Sequence, residues 1–528
     1  MTTPTLDGGS AAGDWWKHAT IYQIYPRSFC DTTGNGVGDL GGVIDRLDHL
    51  AWLGVDAIWL SPIFTSPMVD HGYDVADYCD VDPLFGDLDT FDRLVAEAHR
   101  RGIRVVLDWV PNHTSDRHPW FVDSRSSRTA ARRAWYVWRE GSRERPPNNW
   151  MSALSGGSAW TWDETTSAWY LHLFTPEQPD LDWSNSEVRE AMHETLRFWL
   201  DRGVDGFRMD VVHLIAKPDG LPDLPGGPGD VVIHIDEPEV HGYLRAIRSV
   251  LDEYPQQPMS VGEVYLLDPT RVAEYYGDHD ELHLSFNFSA LHGRWDAGHW
   301  RAAIRSAQRA FDPVEAWPTW VLSNHDQTRH RQRYGGSERV ARAAAVLLLT
   351  LRGTPFLYAG EELGLVDAEV PPEQRHDPAG RRDGCRAPIP WDASSTHGWR
   401  RSDNWLPFPP EAGDRNLETL RNDPASIVHL YRALLRIRRQ STALRVGSME
   451  LIDADPALVA WERTAGDERV VVAINMTDRP VPFEPPDHSS PWTVALESSG
   501  AVGERSSLGE YPGAIAEQSG VVLVPAAT

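Results

Sequence analysis

Short apolar runs rich in β-branched and aromatic residues alternate along this chain with longer segments whose apolar positions recur at helical spacing. Strands that alternate with helices predict a parallel sheet, and eight such strands favour a closed barrel over an open sheet. The predicted strands are Ala19–Tyr25, Asp56–Ser61, Ile103–Val110, Gly206–Val212, Pro258–Val264, Leu282–Phe288, Pro318–Ser323 and Thr354–Ala359. The predicted helices include Leu47–Leu53, Asp89–Arg101, Ser186–Arg202, Glu239–Tyr254, Glu338–Leu351 and Ile427–Gln440. We therefore predict the α/β class and a (β/α)8 barrel.

Two long stretches interrupt this alternation. The stretch from His113 to Trp183 is too long for a loop without structure of its own, so we predict an inserted subdomain after the third strand. A Pro/Gly/Asp-rich stretch after the eighth strand is expected to fold over the barrel mouth, and the alternating runs near the C-terminus predict an antiparallel β domain. The predicted division is barrel at 14–112 and 184–442 (with a lid region at 361–410), inserted subdomain at 113–183 and C-terminal β-sandwich at 443–528.

Charge and cysteine content narrow the possible partners. The 528 residues carry 77 acidic and 50 basic side chains, and the formal net charge is −27. That charge disfavours nucleic acid and anionic membranes as partners. The three cysteines suggest a reducing compartment and not a disulfide framework. The N-terminal residues lack a signal-peptide pattern, and no apolar run approaches the ~18 residues of a membrane span. We expect a cytoplasmic protein without a membrane partner, either a monomer or a homodimer.

Acidic residues stand at the ends of separate apolar runs. Asp210, Glu263 and Asp326 each follow such a run, and another run ends in Asp108–His113. Polar groups placed just past the strands of a barrel meet at its carboxyl-terminal rim. Two carboxylates with a third in support are also what glycoside hydrolysis needs.

The neighbours of two carboxylates suggest different roles for them. Side chains two residues apart in a strand share a face, so Arg208 and Asp210 should point the same way. A guanidinium there would keep Asp210 ionised, as a nucleophile must be. Glu263 lies in the apolar run Val261–Val264, and burial would keep it protonated as a general acid.

Several motifs carry a family resemblance. They are Asp108–His113, Gln178–Leu181, Gly206–Asp210, Gly262-Glu263, Asn324–Asp326 and Gly353–Phe356. In this order they resemble the α-amylase superfamily (glycoside hydrolase family 13) and within it the α-glucosidase and oligo-1,6-glucosidase branch. The resemblance implies that Asp210 is the nucleophile, Glu263 the acid/base and Asp326 a third carboxylate that grips glucose hydroxyls. It also implies that His113 and His325 donate hydrogen bonds to hydroxyls of the same ring.

The segment Asp70–Asp74 matches the part of the family that trims single glucose units. The resemblance implies that Asp70 pairs with Arg386 across the blind end of a pocket, and that Tyr73 stacks beneath the glucose ring. Val211, directly after the proposed nucleophile, accompanies activity on α-1,6 links in the family. Departures from the usual pattern stand at His71, Asp182, Ala387 and Ile389. We expect altered specificity from His71, Ala387 and Ile389, and make no prediction for Asp182.

The segment Asp31–Asp39 has oxygen-bearing side chains at alternate positions, which suits a hard cation. Without a metal it would be an Asp/Gly-rich turn. The resemblance implies a structural Ca²⁺ or Mg²⁺ in this loop, held by Asp31, Thr33, Asn35, Val37 and Asp39. No motif points to an organic cofactor.

The sequence therefore predicts an exo-acting, retaining α-glucosidase that releases α-glucose from the non-reducing end of short α-glucosides of the maltose or isomaltose type, with sucrose as a further candidate. Some transglucosylation is expected. One alternative is a glucosyl-transferring isomerase, such as a sucrose isomerase or trehalose synthase, which would use the same catalytic residues. The Arg-Leu-Asp-Arg-Asp loop of sucrose isomerases is absent, which lowers that alternative. A non-enzymatic alternative is a binding protein like the transporter heavy chains, which carry a transmembrane anchor.

Overall fold

Eight parallel strands form the centre of the fold in a computed structural model that describes residues 14–225, 234–486, 491–500 and 509–526. In chain order these strands are Ile21–Ile24, Ala57–Leu60, Arg104–Trp109, Gly206–Met209, Met259–Gly262, Leu284–Ser285, Thr319–Val321 and Thr354–Tyr358. Backbone hydrogen bonds join neighbouring strands in the order sixth, fifth, fourth, third, second, first, eighth and seventh. The seventh and sixth strands are joined by a side chain, because the Thr319 hydroxyl donates to the Ser285 carbonyl at 2.8 Å. The predicted barrel is confirmed.

Helices cover the outside of the barrel. The longer ones are Leu40–Leu53, Leu88–Arg100, Ser186–Leu200, Glu239–Asp252, Ala297–Phe311, Glu338–Thr350 and Ile427–Gln440, with a shorter one at Pro269–Glu274. Several begin where a polar side chain accepts a hydrogen bond from the first turn, which stabilises a helix by about 1 kcal/mol. These capping residues are Asp39, Asp87, Asn185, Asp296 and Ser337. Further short helices are Trp15–His18, Pro119–Ser124, Phe288–Leu291, His330–Arg333, Leu417–Asn422 and Thr442–Val446. The 3₁₀ turns are Pro26–Ser28, Arg133–Trp135, Val212–Leu214, Asp312–Val314, Pro372–Gln374 and Gly384–Arg386.

The stretch between the third and fourth barrel strands has structure of its own. It contains a three-stranded antiparallel sheet of Trp138–Arg139, Trp160–Asp163 and Ala168–Leu171. Before it, Phe64–Thr65 pairs with Asp77–Val81. An insertion after the third strand is therefore confirmed, while the predicted boundaries of all the domains stay predictions.

A five-stranded antiparallel sheet forms the C-terminal part, with Val481–Pro482 and Ala514–Ile515 as a small separate pair. In spatial order its strands are Ser448–Leu451, Leu458–Ala465, Glu468–Asn475, Ser519–Pro525 and Trp492–Glu497. Apolar side chains from this sheet, such as Trp461 and Val522, join the same buried core as the barrel helix Glu338–Thr350. The sheet thus packs directly on the barrel.

No helix within the described ranges is both long enough and apolar enough to cross a membrane. The cytoplasmic location and the lack of nucleic-acid partners stay predictions from charge and cysteine usage.

Candidate active site

A cavity of about 480 Å³ lies where the barrel strands end at their carboxyl termini. This is the face on which barrel enzymes carry their active sites. Eight of the predicted site residues line its wall: Asp70, Tyr73, His113, Asp210, Val211, Glu263, His325 and Asp326. Arg208 and Arg386 lie directly behind the wall, and their side chains are 3% and 0% exposed.

Strand pairing brings Asp210 and Glu263 together. The fourth and fifth barrel strands pair in parallel with Met209 opposite Gly262, so the two acidic residues leave the sheet at the same level. The close approach of these strands requires Gly206, because a Cβ there would collide with the Met259 carbonyl oxygen.

The Arg208 guanidinium joins three carboxylates. Its Nη1 donates to Asp210 Oδ1 at 2.6 Å and to Asp108 Oδ1 at 2.7 Å. Its Nη2 donates to Glu263 Oε2. The prediction that Arg208 and Asp210 point the same way is confirmed. The sequence did not predict that one cation would serve three buried acids.

The presence of three carboxylates around one guanidinium changes the protonation expected for Asp210. Burial raises the pKa of Asp210 well above its usual value, and Arg208 opposes this shift while the neighbouring carboxylates Glu263 and Asp108 add to it. Burial likewise raises the pKa of Asp108 to about 6. Because three carboxylates surround one guanidinium, the cluster keeps a proton close to neutral pH. The expectation that Arg208 alone would keep Asp210 ionised is therefore too simple.

Glu263 is not buried in apolar surroundings, contrary to the prediction. Its side chain is 13% exposed and contacts Arg208, while Val264 turns away into the outer core. Glu263 Oε2 accepts from Arg208 and also from the Val211 backbone N–H at 3.3 Å. Since both donors use Oε2, the other oxygen, Oε1, is the one that can carry a proton.

Ion pairs join further residues of the cavity wall. Arg382 Nη2 lies 2.7 Å from Asp70 Oδ1, and Arg382 Nη1 lies 3.2 Å from Asp326 Oδ1. The predicted pair between Asp70 and Arg386 is wrong, because Arg386 instead contacts Asp326 Oδ1 at 3.0 Å. The 3₁₀ turn Gly384–Arg386 carries Arg386 beneath the site, where its Nε donates to the His325 carbonyl at 2.8 Å.

Asp326 is held in its ionised form by these partners. Burial acts to raise the pKa of Asp326, but the guanidinium groups of Arg382 and Arg386 outweigh it and lower the pKa below its usual value. A permanently charged carboxylate beside two arginines can accept hydrogen bonds from neutral hydroxyl groups.

Two buried histidines are neutral. Burial lowers the pKa of His113 to about 4 and that of His325 to about 3. Tyr73 stacks on His325 with ring centres 5.5 Å apart, and its hydroxyl lies 2.7 Å from His325 Nε2 and 3.0 Å from Asp108 Oδ2. Neutral imidazoles of this kind can exchange hydrogen bonds with sugar hydroxyls without adding charge.

The predicted metal loop is organised by its own backbone. Asp31 Oδ1 accepts from the Gly34 N–H at 2.7 Å and Asp31 Oδ2 from the Gly36 N–H at 3.0 Å. Asp39 accepts from the Thr32 and Gly42 N–H groups at 2.8 Å. Within the described ranges, no group of three or more His, Cys, Asp or Glu side chains could hold a metal. The predicted set has only two such residues and otherwise relies on neutral oxygens, so its metal stays a prediction.

A sequence model of the α-amylase catalytic domain matches residues 23–447, which is more than half of the chain. The chain belongs to the α-amylase family. A probable α-glucosidase from Rhizobium meliloti (strain 1021) is 43% identical over 508 residues, which cover 90% of this chain and 91% of that protein. An oligo-1,6-glucosidase from Parageobacillus thermoglucosidasius is 38% identical over 523 residues, covering 90% and 92%. These relatives assign this α-amylase-family protein to the α-glucosidase branch of glycoside hydrolases.

A solved structure shows the same architecture over nearly the whole length. The trehalulose synthase MutB from Pseudomonas mesoacidophila MX-45 superposes with a TM-score of 0.88 at 32% identity. The superposition covers 98% of this chain and 100% of that chain.

Several cavity residues of this α-amylase-family protein were missed from the sequence. Gln178 lies 3.2 Å from His113 and 3.5 Å from Asp70, and it belongs to a motif quoted only for the resemblance. Arg382 stands four residues before Arg386, the partner of Asp70 that the resemblance implies. The other additions to the wall are Ala153, Leu154, Phe174, His234, Tyr265, Gln327, Ala379 and Arg381. Most come from irregular segments, where no periodic pattern marks a side chain as facing a pocket.

Val211 has an unusual backbone for a β-branched residue. Its φ of 35° and ψ of 40° place it in the left-handed region, which such residues rarely adopt. This turn directs its N–H toward Glu263, while its side chain reaches the cavity and packs with Phe174 and Leu214. Val211 therefore contacts Glu263 through its backbone and lines the cavity with its side chain.

Proposed function

We propose that this protein is an exo-acting, retaining α-glucosidase that releases α-glucose from the non-reducing end of short α-glucosides and transfers some glucose to other sugars. The arrangement of the cavity carries the proposal. Asp210 and Glu263 share one guanidinium, and the ion pairs of Arg382 with Asp70 and Asp326 would close the blind end of the cavity. Retaining glycosidases place their two carboxyl groups about 5–5.5 Å apart, and here both carboxylates accept hydrogen bonds from the same guanidinium, which keeps them near each other.

The first chemical step follows from this geometry. Asp210 Oδ1 is held by Arg208, so Oδ2 is the oxygen that attacks the anomeric carbon of the glucose. Glu263 passes its proton to the glycosidic oxygen as the bond to the leaving sugar breaks, which leaves a glucosyl ester on Asp210. As the negative charge of Asp210 enters the new bond, Arg208 stays to neutralise Asp108 and the newly ionised Glu263.

The second step reverses the first. Glu263 removes a proton from a water molecule, whose oxygen attacks the anomeric carbon and releases Asp210. Asp326, with His113 and His325, would hold the hydroxyls of the glucose ring through both steps. Contacts that shorten as the ring flattens toward the oxocarbenium ion lower the barrier.

The configuration of the first product tests the mechanism. Two inversions at one carbon restore the α configuration, so proton NMR recorded early in the reaction should show α-glucose before mutarotation sets in. A β-glucose signal that appears first would contradict a covalent Asp210 intermediate.

The superposition with a trehalulose synthase supports one second candidate, a glucosyl-transferring isomerase. In such an enzyme a sugar hydroxyl replaces water in the second step. The sequence contains no Arg-Leu-Asp-Arg-Asp loop of the sucrose isomerase kind, which favours hydrolysis. Product analysis decides between them: free glucose and fructose from sucrose support hydrolysis, and an isomeric disaccharide as the main product supports the isomerase.

Val211 is predicted to favour α-1,6 over α-1,4 links. Its branched side chain narrows the cavity beside the leaving sugar, and the extra rotatable bond of an α-1,6 link lets that sugar swing clear. Val211→Ala should therefore lower the ratio of kcat/KM for isomaltose to that for maltose by roughly 10–200-fold, the usual effect of one methyl-sized clash. Steady-state rates on both disaccharides give the ratio.

Val212→Ala is the matched control, because Val212 is buried in the barrel core and does not line the cavity. It should reduce stability but leave the ratio unchanged. A wild-type enzyme that cleaves maltose well and ignores isomaltose would show that Val211 does not set the linkage.

We also propose that the Asp31–Asp39 loop holds a structural Ca²⁺ or Mg²⁺ through oxygens of Asp31, Thr33, Asn35, Val37 and Asp39. The ion would stabilise the loop ahead of helix Leu40–Leu53 and would take no part in the chemistry. Removing a ligand present at 100 times its Kd costs about 2.7 kcal/mol, so a chelator should lower Tm by a few degrees and added Ca²⁺ or Mg²⁺ should restore it. Elemental analysis of purified protein without either metal, together with an unchanged Tm, would contradict the site.

A further inference from the structure

A cluster of four polar side chains, three buried and one partly exposed, lies beside the cavity wall and has no direct role in the proposed mechanism. Its members are Tyr25, Arg27, His71 and Arg386. Within the described residues, the Tyr25 hydroxyl, Arg27 Nε and Nη1, both ring nitrogens of His71 and Arg386 Nη1 have no hydrogen-bond partner. Buried polar groups in folded proteins are nearly always hydrogen-bonded, so a concentration of unpaired ones points to a missing partner.

These side chains lie around the rings of Trp405 and Tyr25. The Arg27 guanidinium lies 4.7 Å from the centre of the Trp405 ring, and the His71 ring lies 5.4 Å from it. Tyr25 is 6.2 Å from the same ring, and the Arg386 guanidinium is 5.3 Å from the Tyr25 ring. The charges of Arg27 and Arg386 both act on His71, and those of Tyr25 and Arg386 on Arg27, so the four members share one neighbourhood.

The positive charge of Arg27 has no counter-charge close by. Within the described ranges, no carboxylate oxygen forms an ion pair with it, although Asp74 and Asp82 lie in its neighbourhood. Those two carboxylates are engaged elsewhere: Asp74 accepts from the Val69 and Asp70 N–H groups, and Asp82 from Ser66 and Leu84. Arg27 as a residue is partly exposed, but its Nε and Nη1 are buried and have no partner among the described residues.

The chemistry of the cluster selects the ligand. Arg27 and Arg386 offer only donors, and Tyr25 offers an O–H. Burial, followed by the charges of Arg27 and Arg386, lowers the pKa of His71 to about 2, so its ring is neutral and adds no positive charge of its own. A water molecule would bring two more donors into a site that is already rich in them. A small ion with only acceptor capacity and one negative charge satisfies both requirements.

We propose that a small monovalent anion of halide size binds between Arg27 and Arg386, with Tyr25 and His71 as its other neighbours. Arg386 also holds Asp326 and the His325 carbonyl, so the anion would fix the wall that the proposed function assigns to the glucose ring. The anion acts as a counter-ion and takes no part in bond breaking.

The test uses purified wild-type protein exchanged into sodium gluconate. Sodium chloride or bromide then replaces gluconate at constant ionic strength while Tm is measured. A saturable rise in Tm of about 2 °C is expected, because the ligand binds only the folded protein. In crystals grown with bromide, an anomalous peak is expected between the guanidinium groups of Arg27 and Arg386. Superimposable Tm curves in halide and gluconate, or a bromide crystal structure with no peak there, would overturn the proposal.

Two variants test whether Arg27 binds the anion. Arg27→Gln should lose the halide-dependent rise in Tm. Arg46→Gln should keep it, because Arg46 stacks in the same way on a different tryptophan, Trp391, at 4.4 Å. Equal loss in both variants would count against the site. If Arg27→Gln does not fold, the wild-type bromide structure decides alone. Since Tm does not depend on turnover, failure of the anion site and failure of the glucosidase assignment are distinguishable.

Discussion

Asp210→Asn should abolish turnover while the protein remains folded. An amide cannot form the glucosyl ester, and the other acids that Arg208 contacts, Asp108 and Glu263, lie beside it in other positions. Loss of a covalent nucleophile costs several powers of ten, so we expect kcat to fall by about 10⁴-fold or more. The change removes one negative charge from a cluster of three carboxylates around one cation, so Tm should not fall. Steady-state rates on maltose and a thermal melt measure both.

The matched control is Asp182→Asn, the same chemical change at a position outside the cavity. Asp182 accepts hydrogen bonds from the Ser184 N–H and hydroxyl, and the family branch usually has Asn there. This variant should retain activity within a few-fold. An Asp210→Asn enzyme that works within tenfold of wild type would remove Asp210 from its role.

The order and location of the barrel strands could be predicted because each is a short run in which apolar residues predominate. The limits of some elements could not. The first helix was predicted at Leu47–Leu53 but begins at Leu40, because Asp39 caps it and Gly42 lies too close to the Cys30 carbonyl for any side chain. Glycines lower helix propensity in a sequence, while here close packing requires one.

The sixth strand was predicted too long, whereas the helix was predicted too short. It was predicted over Leu282–Phe288, yet only Leu284–Ser285 pairs as a strand. The barrel closes at this point through the Thr319 side chain, which bonds the Ser285 carbonyl and accepts from the Asn287 N–H at 3.1 Å. A side-chain hydroxyl that joins two strands in place of backbone hydrogen bonds cannot be recognised from the hydrophobic pattern of the sequence.

Within the candidate site, it was easier to predict which residues lie there than to predict which residues they contact. Asp210, Glu263 and Asp326 end apolar runs, and the topology of a barrel brings such ends together. The choice between Arg382 and Arg386 as the partner of Asp70 depends on a 3₁₀ turn that no periodicity indicates. The division of Arg208 among three carboxylates depends on strand register, which appears only when the fourth strand pairs with the third and fifth.

Glu263→Gln should affect substrates according to their leaving groups. In the proposed first step Glu263 protonates the departing oxygen, which a sugar leaving group needs and an activated aryl leaving group needs far less. We expect kcat/KM for maltose or isomaltose to fall by roughly 10²–10⁴-fold, the usual contribution of general acid catalysis, and kcat/KM for a nitrophenyl α-glucoside to fall much less. Parallel steady-state measurements on both substrate types make the comparison.

The structure makes this variant a clean test. Glu263 Oε2 accepts from Arg208 and from the Val211 N–H, and the oxygen of a glutamine amide can accept from both in the same position. The Gln side chain would then keep its place and lose only the proton of Oε1. Glu450→Gln, the same change at an exposed position of the C-terminal sheet, should leave both rates unaltered. Equal losses on the disaccharide and the aryl glucoside would argue that Glu263 positions the substrate or Asp210 and does not act as the acid.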